Sequence, residues 1–270
     1  MKRLRPCQVH AEGVRAVNNG LKRMGFSLIL GMLTLVITLI GTAAHAGATV
    51  PQHTEAPLHS STYDDIQWLR GIIEGLAEEE VRLSASNYGL LYDPTIVPDK
   101  LLVGLLLALP GESKLEQHEH SWTAAKLLSD QTVLYASVKQ EAESTVVVMQ
   151  LHSTMLEANE SYARWFTTLD QAWERLGLDA NWRVNLQATL STERTSEDVW
   201  AMLQHEGAGE EPIGEYREGG TVSRTYKAPF MFASVTADAQ TVRLQAAVHQ
   251  SSEDHSYRVT LGSPLITIEY

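Results

Sequence analysis

Few side chains in this sequence are grouped in a way that could do chemistry, and the densest group is Glu116-Gln117-His118-Glu119-His120. On a strand, residues i and i+2 point the same way, so His118 and His120 would share one face and could together hold a Zn²⁺ ion. On a helix the same two imidazoles would diverge, and no HExxH pattern supplies a third ligand. A solvated polar segment after the Pro110-Gly111 turn accounts for these residues equally well. No serine sits in a G-x-S-x-G elbow or an S-x-x-K arrangement, so serine acyl transfer finds no support. Gly207-x-Gly209 and Gly219-Gly220 lack the Lys-Ser/Thr that completes a phosphate-binding loop. The remaining candidates are polar residues that alternate with apolar ones: Arg183, Asn185 and Gln187 in one run, Arg243, Gln245 and His249 in another. Lined up on one sheet surface, they could bind a peptide or glycan by hydrogen bonds, although antiparallel sheets routinely carry an ordinary solvated face.

The elements that would position these residues can be read from periodicity. Ile66, Leu69, Ile72, Ile73 and Leu76 recur at helical spacing behind Asp64-Asp65, and Val81–Leu91 then alternates as a strand. Leu101–Leu109 is apolar and fits a buried helix or a buried strand. Ser121–Leu128 reads as a short helix, and Thr132–Val138 with Thr145–Leu151 reads as a hairpin across Lys139–Ser144. A second unit begins near Ser161. Tyr162, Trp165, Phe166, Leu169, Trp173 and Leu176 share one helical face, with Gly177 as the C-cap. Asn181–Leu190 alternates cleanly, with Trp182, Val184, Leu186, Ala188 and Leu190 on its apolar side. Ser196–Gln204 is a short helix. Strands follow around Glu218-Gly219-Gly220, over Val242–His249 and from Tyr257, with Leu265–Tyr270 as a final strand. Trp165, Trp173, Trp182 and Trp200 all fall on core-facing positions, which favours packing over sugar stacking.

Both halves share the order long helix, strand, short helix, strand, strand, and Trp68 and Trp165 take similar places in the two long helices. The expectation is an α+β fold with helices on antiparallel sheet, built by structural duplication. The domain plan is a leader over 1–46, a linker over 47–62, a first half over 63–155 and a second over 156–270.

The leader has the layout of a secretory signal: Lys22-Arg23, the apolar run Phe26–Ile40, then Ala44-His45-Ala46. Cleavage is expected between Ala46 and Gly47. The apolar run is short for a membrane span, but continued through Ala43-Ala44 it would just reach spanning length, so an uncleaved N-terminal anchor is the alternative. The basic pairs are Lys-Arg rather than twin arginine, which favours the general secretion route. Cys7, the single cysteine, lies in this leader, so the exported part would have no disulfide, thiolate nucleophile or cysteine metal ligand.

Charge divides at the same place. Residues 1–46 hold six Lys/Arg and one acid, a balance of +5, so the rest carries −17 within a total of −12. Such a surface repels phosphate backbones, so no nucleic-acid partner is expected, and contact with anionic lipid or wall polymer is disfavoured unless divalent cations bridge. Membrane contact would come only through an uncleaved leader.

The C-terminal sequence adds a family resemblance. Val242-Arg243-Leu244-Gln245-Ala246-Ala247, followed by Gly262-Ser263-Pro264-Leu265-Ile266-Thr267-Ile268-Glu269-Tyr270, resembles the YwmB family of Firmicutes. There a Leu-Gln-Ala strand precedes a closing Gly-Thr-Pro-Ile-Ile-Thr-x-Glu-Tyr-like segment; here Ser replaces Thr and Leu replaces Ile. The likeness is specific at the C-terminus and fades before about residue 160, and the Leu101–Leu109 region has no counterpart in it. It implies export and a TATA-box-binding-protein-like fold, a helix-backed curved antiparallel sheet in pseudo-duplicate. The family brings no characterised activity, and a fold does not carry DNA binding with it.

Together these readings point to an exported cell-envelope protein that binds a protein or wall component through its polar sheet face, with no cofactor and no catalysis. The alternative is a metal-assisted hydrolase acting on cell-wall material at His118 and His120. A purely structural role in an envelope complex is not separable from the first by any residue.

Overall fold

The computed structural model describes residues 62–77, 80–93, 95–154, 160–237 and 239–268. The leader, with Ala44, Ala46 and Gly47, lies outside the described residues, as do Glu269 and Tyr270. The elements run α1 (Thr62–Glu74), β1 (Arg82–Leu91), α2 (Pro98–Leu107), β2 (Ser113–His118), β3 (Ser121–Ser129), β4 (Thr132–Gln140) and β5 (Thr145–Ser153). They continue with α3 (Glu160–Glu174), β6 (Arg183–Thr189), α4 (Ser196–His205), β7 (Gly214–Glu218), β8 (Thr221–Tyr226), β9 (Val235–Ala237), β10 (Gln240–Val242), β11 (Leu244–Gln250) and β12 (Tyr257–Ser263).

Ten of the strands form one sheet in the order β2-β3-β4-β5-β1-β6-β12-β11-β8-β7. Every neighbouring pair in it is antiparallel. The fold is therefore α+β with a large antiparallel sheet. β1 and β6 pair at its centre, and outward from them each half repeats one path: first strand, last strand, then the hairpin strands back to the edge. Each half has one long helix before its first strand and one short helix after it. The second half adds the small β9–β10 ribbon.

All four helices face one side of this sheet, and one hydrophobic core joins them to it. Strand periodicity explains how. Leu83 and Ala85 on β1, Leu134, Ala136 and Val138 on β4, Val184 and Leu186 on β6, and Val259 and Leu261 on β12 all point to the helix side and are buried. The long helices cross over. α1, from the first half, packs on β6 and β12, while Tyr162 of α3 reaches β4 and β5. Two buried serines mark equivalent ends. Ser153 lies opposite Leu83, and its hydroxyl accepts from Tyr162 Oη at 2.8 Å. Ser263 lies opposite Val184 and donates to Asp65 Oδ2 of α1 at 2.9 Å. Asp65 also accepts the Phe232 and Ala233 N–H groups at 2.8 and 3.1 Å, so one buried carboxylate ties α1 to two segments of the second half.

Three sequence expectations need correction. Ser121–Leu128 is strand β3, not a helix. Its Ala124-Ala125-Lys126-Leu127-Leu128 run has high helix propensity, but pairing to β2 and β4 on both sides overrides it. Leu265–Ile268 does not form a strand; the chain leaves the sheet at Ser263. Each half also holds more strands than read from periodicity. Leu101–Leu109, left open between helix and strand, belongs mostly to α2, whose Leu102, Leu105 and Leu106 are buried. Gly219 and Gly220 turn β7 into β8 with φ of 54° and 81°, the left-handed pair that a tight hairpin requires. Among the described residues, no helix is long and apolar enough to cross a membrane.

Candidate functional site

The side of the sheet opposite the helices is the place where polar side chains converge. β6 contributes Arg183, Asn185 and Gln187, alternating with the core residues Val184, Leu186 and Ala188. On β11, Gln245 and His249 point the same way, opposite Gly262 and Arg258 of β12. Five of the six polar residues singled out by alternation thus share this face. Arg243 is the exception. It stands just before β11, and its guanidinium donates to the Met231 carbonyl oxygen.

Around β12, part of that face is covered by the chain itself. Beyond Ser263 and the cis Ser263-Pro264 peptide, residues 265–268 fold back across β12. Gly262 allows the approach, since a Cβ there would lie 2.7 Å from Ile266 N and 2.8 Å from Leu265 C. Two amide side chains clamp the returning segment. Ile266 N–H donates to Gln245 Oε1 at 3.0 Å. Thr267 N–H donates to Asn185 Oδ1 at 3.0 Å, and Asn185 Nδ2 donates to Thr267 Oγ1 at 2.9 Å. Asn185, Thr260 and Gly262 are buried there. Other polar groups nearby are satisfied within the sheet. Gln187 Nε2 donates to Thr260 Oγ1 at 3.0 Å, Gln245 Nε2 to Ser223 Oγ at 2.8 Å, and His249 Nδ1 shares a 2.8 Å hydrogen bond with Thr221 Oγ1. Asn185 and Gln245 therefore already bind a stretch of backbone, that of the chain's own end.

The first half of this face is different. Where the covered region stops, at Ile268 and Gln187, a concavity of about 350 Å³ opens toward β1, β5 and β4. Arg82 and Ser84 come from β1, Val133 and Tyr135 from β4, and His152 from β5. Register fixes their arrangement. Val133, His152, Ser84 and Asn185 form one cross-strand row, and Arg82 with Gln187 the next. Burial pushes the His152 imidazole below its ordinary value, which keeps it neutral at pH 7. Its ring meets Tyr135 edge-on at 5.8 Å. Among the described residues, no hydrogen bond reaches the His152 ring, and Arg82 makes no ion pair. Among the described residues, no Asp or Glu lines the concavity, in a chain with 33 acids. Sequence periodicity placed β1 and β5 correctly but could not show this grouping, because it depends on β1 pairing with both β5 and β6.

The metal candidates end up on the far edge of the sheet. His118 closes β2 with its side chain 61% exposed, and Glu116 Oε2 is 3.9 Å from its Nε2. His120 lies in the two-residue turn Glu119-His120, so the strand geometry that would align the two rings is not met. Among the described residues, no group of three His, Cys, Asp or Glu side chains could hold a metal ion.

Comparison with known families and curated proteins gives no match. Among solved structures, the chain is similar to DynU16, a protein of the dynemicin biosynthetic locus, at 8% identity and a TM-score of 0.21. That match covers 66% of this chain and 85% of DynU16. At so low a score the likeness carries no argument on fold or function.

Proposed function

We propose that this protein is an exported cell-envelope protein that recognises a protein or wall component through the helix-free face of its sheet, without catalysis. The reading takes the fold as TATA-box-binding-protein-like and of the YwmB kind. The repeated path in the two halves supports it, as do helices confined to one face and the closing Gly262-Ser263-Pro264 segment. The motif residues have structural work in this chain. Gly262 makes room for the returning segment, and Ser263 anchors to Asp65.

One observation carries the binding role. Around β12 the helix-free face is covered by the chain's own end, yet in the first half it presents Arg82, Ser84, Tyr135 and His152 around an open concavity. Arg183, exposed on the same face, extends this surface. Polar groups left without partners on a half-buried surface favour association with something that supplies them. The contact region is thus centred on β1, β4 and β5, next to the Asn185 and Gln245 clamp.

The test is retention of the exported protein by isolated cell envelopes. Ser84→Trp and Ser137→Trp together put bulk on the helix-free face; Leu107→Glu alters the opposite, exposed side of α2. Retention is expected to fall in the first variant and persist in the second. Equal retention of wild type and the double Trp variant, with both folded, would overturn the assignment.

A further inference from the structure

We infer that the concavity between β1, β4, β5 and the returning C-terminal segment is a binding subsite for a small carboxylate with an apolar body, its anion held by Arg82. This deepens the recognition reading above and rests on it. The volume, about 350 Å³, lies at the lower end of the range typical of small-molecule sites.

The walls and the polar groups divide the ligand between them. Val133, Tyr135 and Ile268 offer apolar surface on two sides. Among the described residues, Arg82 is the single cation in the lining, and no lining carboxylate competes for it. A guanidinium presents paired N–H donors that match a carboxylate in a bidentate fork. His152 and Ser84 sit directly opposite one another on β5 and β1, one row in from Arg82. A neutral imidazole with no protein partner can donate one further hydrogen bond to the anion or accept one from an adjoining amide. The acidity of the chain as a whole sharpens the preference. A lining that, among the described residues, holds one Arg and no Asp or Glu is a local exception on a protein of net charge −12. It selects an anion that is small and partly apolar, where a polyanion would be repelled by the net negative charge of the chain.

The carboxylate could belong to a free organic acid or to the C-terminus of a peptide, and the two are separable. The test is an NMR titration of the complete exported domain, following the His152 ring and the Ser84 and Thr154 amides. The ligands are hexanoate and N-acetyl-alanyl-alanine, each against its neutral amide. We expect saturable shifts at these three residues with at least one of the acids and none with the amides. The acid that binds more tightly identifies the source. Arg82→Gln, at an exposed strand position, should raise Kd by about tenfold or more, the loss expected for a charged hydrogen bond. Val133→Trp, which fills the concavity while leaving Arg82 in place, should abolish the shifts. Absence of shifts with both acids, or shifts that Arg82→Gln leaves unchanged, would overturn the inference. Envelope retention of the wild type and of the Ser84→Trp/Ser137→Trp variant separates the two readings. Retention that falls in that variant, in a protein whose wild type binds neither acid, overturns the subsite and spares recognition by the face. Acid binding in a protein whose envelope retention ignores the face overturns the wider reading alone.

Discussion

Replacing Asn185 with Ala probes the feature that divides the helix-free face into a covered and an open part. Asn185 is 1% exposed and makes two hydrogen bonds to Thr267, one through each end of its amide. Gln245 makes the third, to Ile266 N–H. Each is worth about 1 kcal/mol net, so Asn185→Ala should cost about 2 kcal/mol. Thr267 is exposed, and its freed N–H can turn to water, which keeps the loss from rising further. For a domain of this size the melting temperature should drop by about 4–8 °C. Gln245→Ala should cost about 2 kcal/mol as well, because it also releases Ser223. If the segment detaches as a unit, the second substitution has less left to remove. The double variant should then be milder than the summed singles by about 0.5–1 kcal/mol. Urea denaturation supplies the energies, and hydrogen exchange at the Ile266 and Thr267 amides reports the segment itself, with exchange at least about tenfold faster in either variant. Strictly additive costs combined with wild-type protection at those two amides would refute the clamp.

Three further outcomes are expected, two from the structure and one from the sequence. Asp65→Ala strands the Ala233 N–H and the Ser263 hydroxyl in a buried setting and the Phe232 N–H in a partly buried one, and should destabilise by about 3–5 kcal/mol in urea melts; a loss below about 1 kcal/mol would contradict its role as the tie between α1 and the second half. Asp170 accepts from Trp182 Nε1 at 2.7 Å, and burial pushes its carboxyl up to about 6 from 3.8, with Glu174 adding repulsion. A folded value raised above the unfolded one gives stability that is complete below the unfolded value and lost as pH rises through about 6. Asp170→Asn should therefore match the wild type near pH 4 and exceed it at pH 7, and parallel stability profiles for the two would refute the burial argument. If the proposed export holds, N-terminal sequencing of protein recovered from outside the cytoplasm should begin at Gly47; a start at Met1 in that fraction would show the leader retained as an anchor.

Local pattern carried much of the architecture. The helical spacing of Tyr162 through Trp173 and the alternation of Trp182 through Leu190 reflect one-sided burial, and both segments form as expected. The Gly219-Gly220 turn was equally legible, because its φ values leave few other residues able to serve. Ser121–Leu128 was not, since Ala, Lys and Leu favour helix and only strands on both sides make them β. Leu265–Ile268 was misread for a related reason. Its β-branched residues suit a strand, but its backbone partners are amide side chains from β6 and β11, set by pairings far away in sequence. The same limit applies to the site. Alternation put Arg183, Asn185 and Gln187 on one face, yet it could not show that Asn185 is already engaged or that Arg82, Ser84 and His152 become its neighbours across β1 and β5.

Recognition through the open half of the helix-free face is tested most directly by site-specific photocrosslinking in living cells. A benzophenone side chain placed at Tyr135 looks into the concavity, and one placed at Leu107 samples the exposed side of α2. The expected result is a discrete covalent adduct with an envelope protein or wall fragment from position 135 only, competed by the acid that binds at Arg82. Adducts from position 107 with none from 135, in exported and folded protein, would contradict recognition by this face.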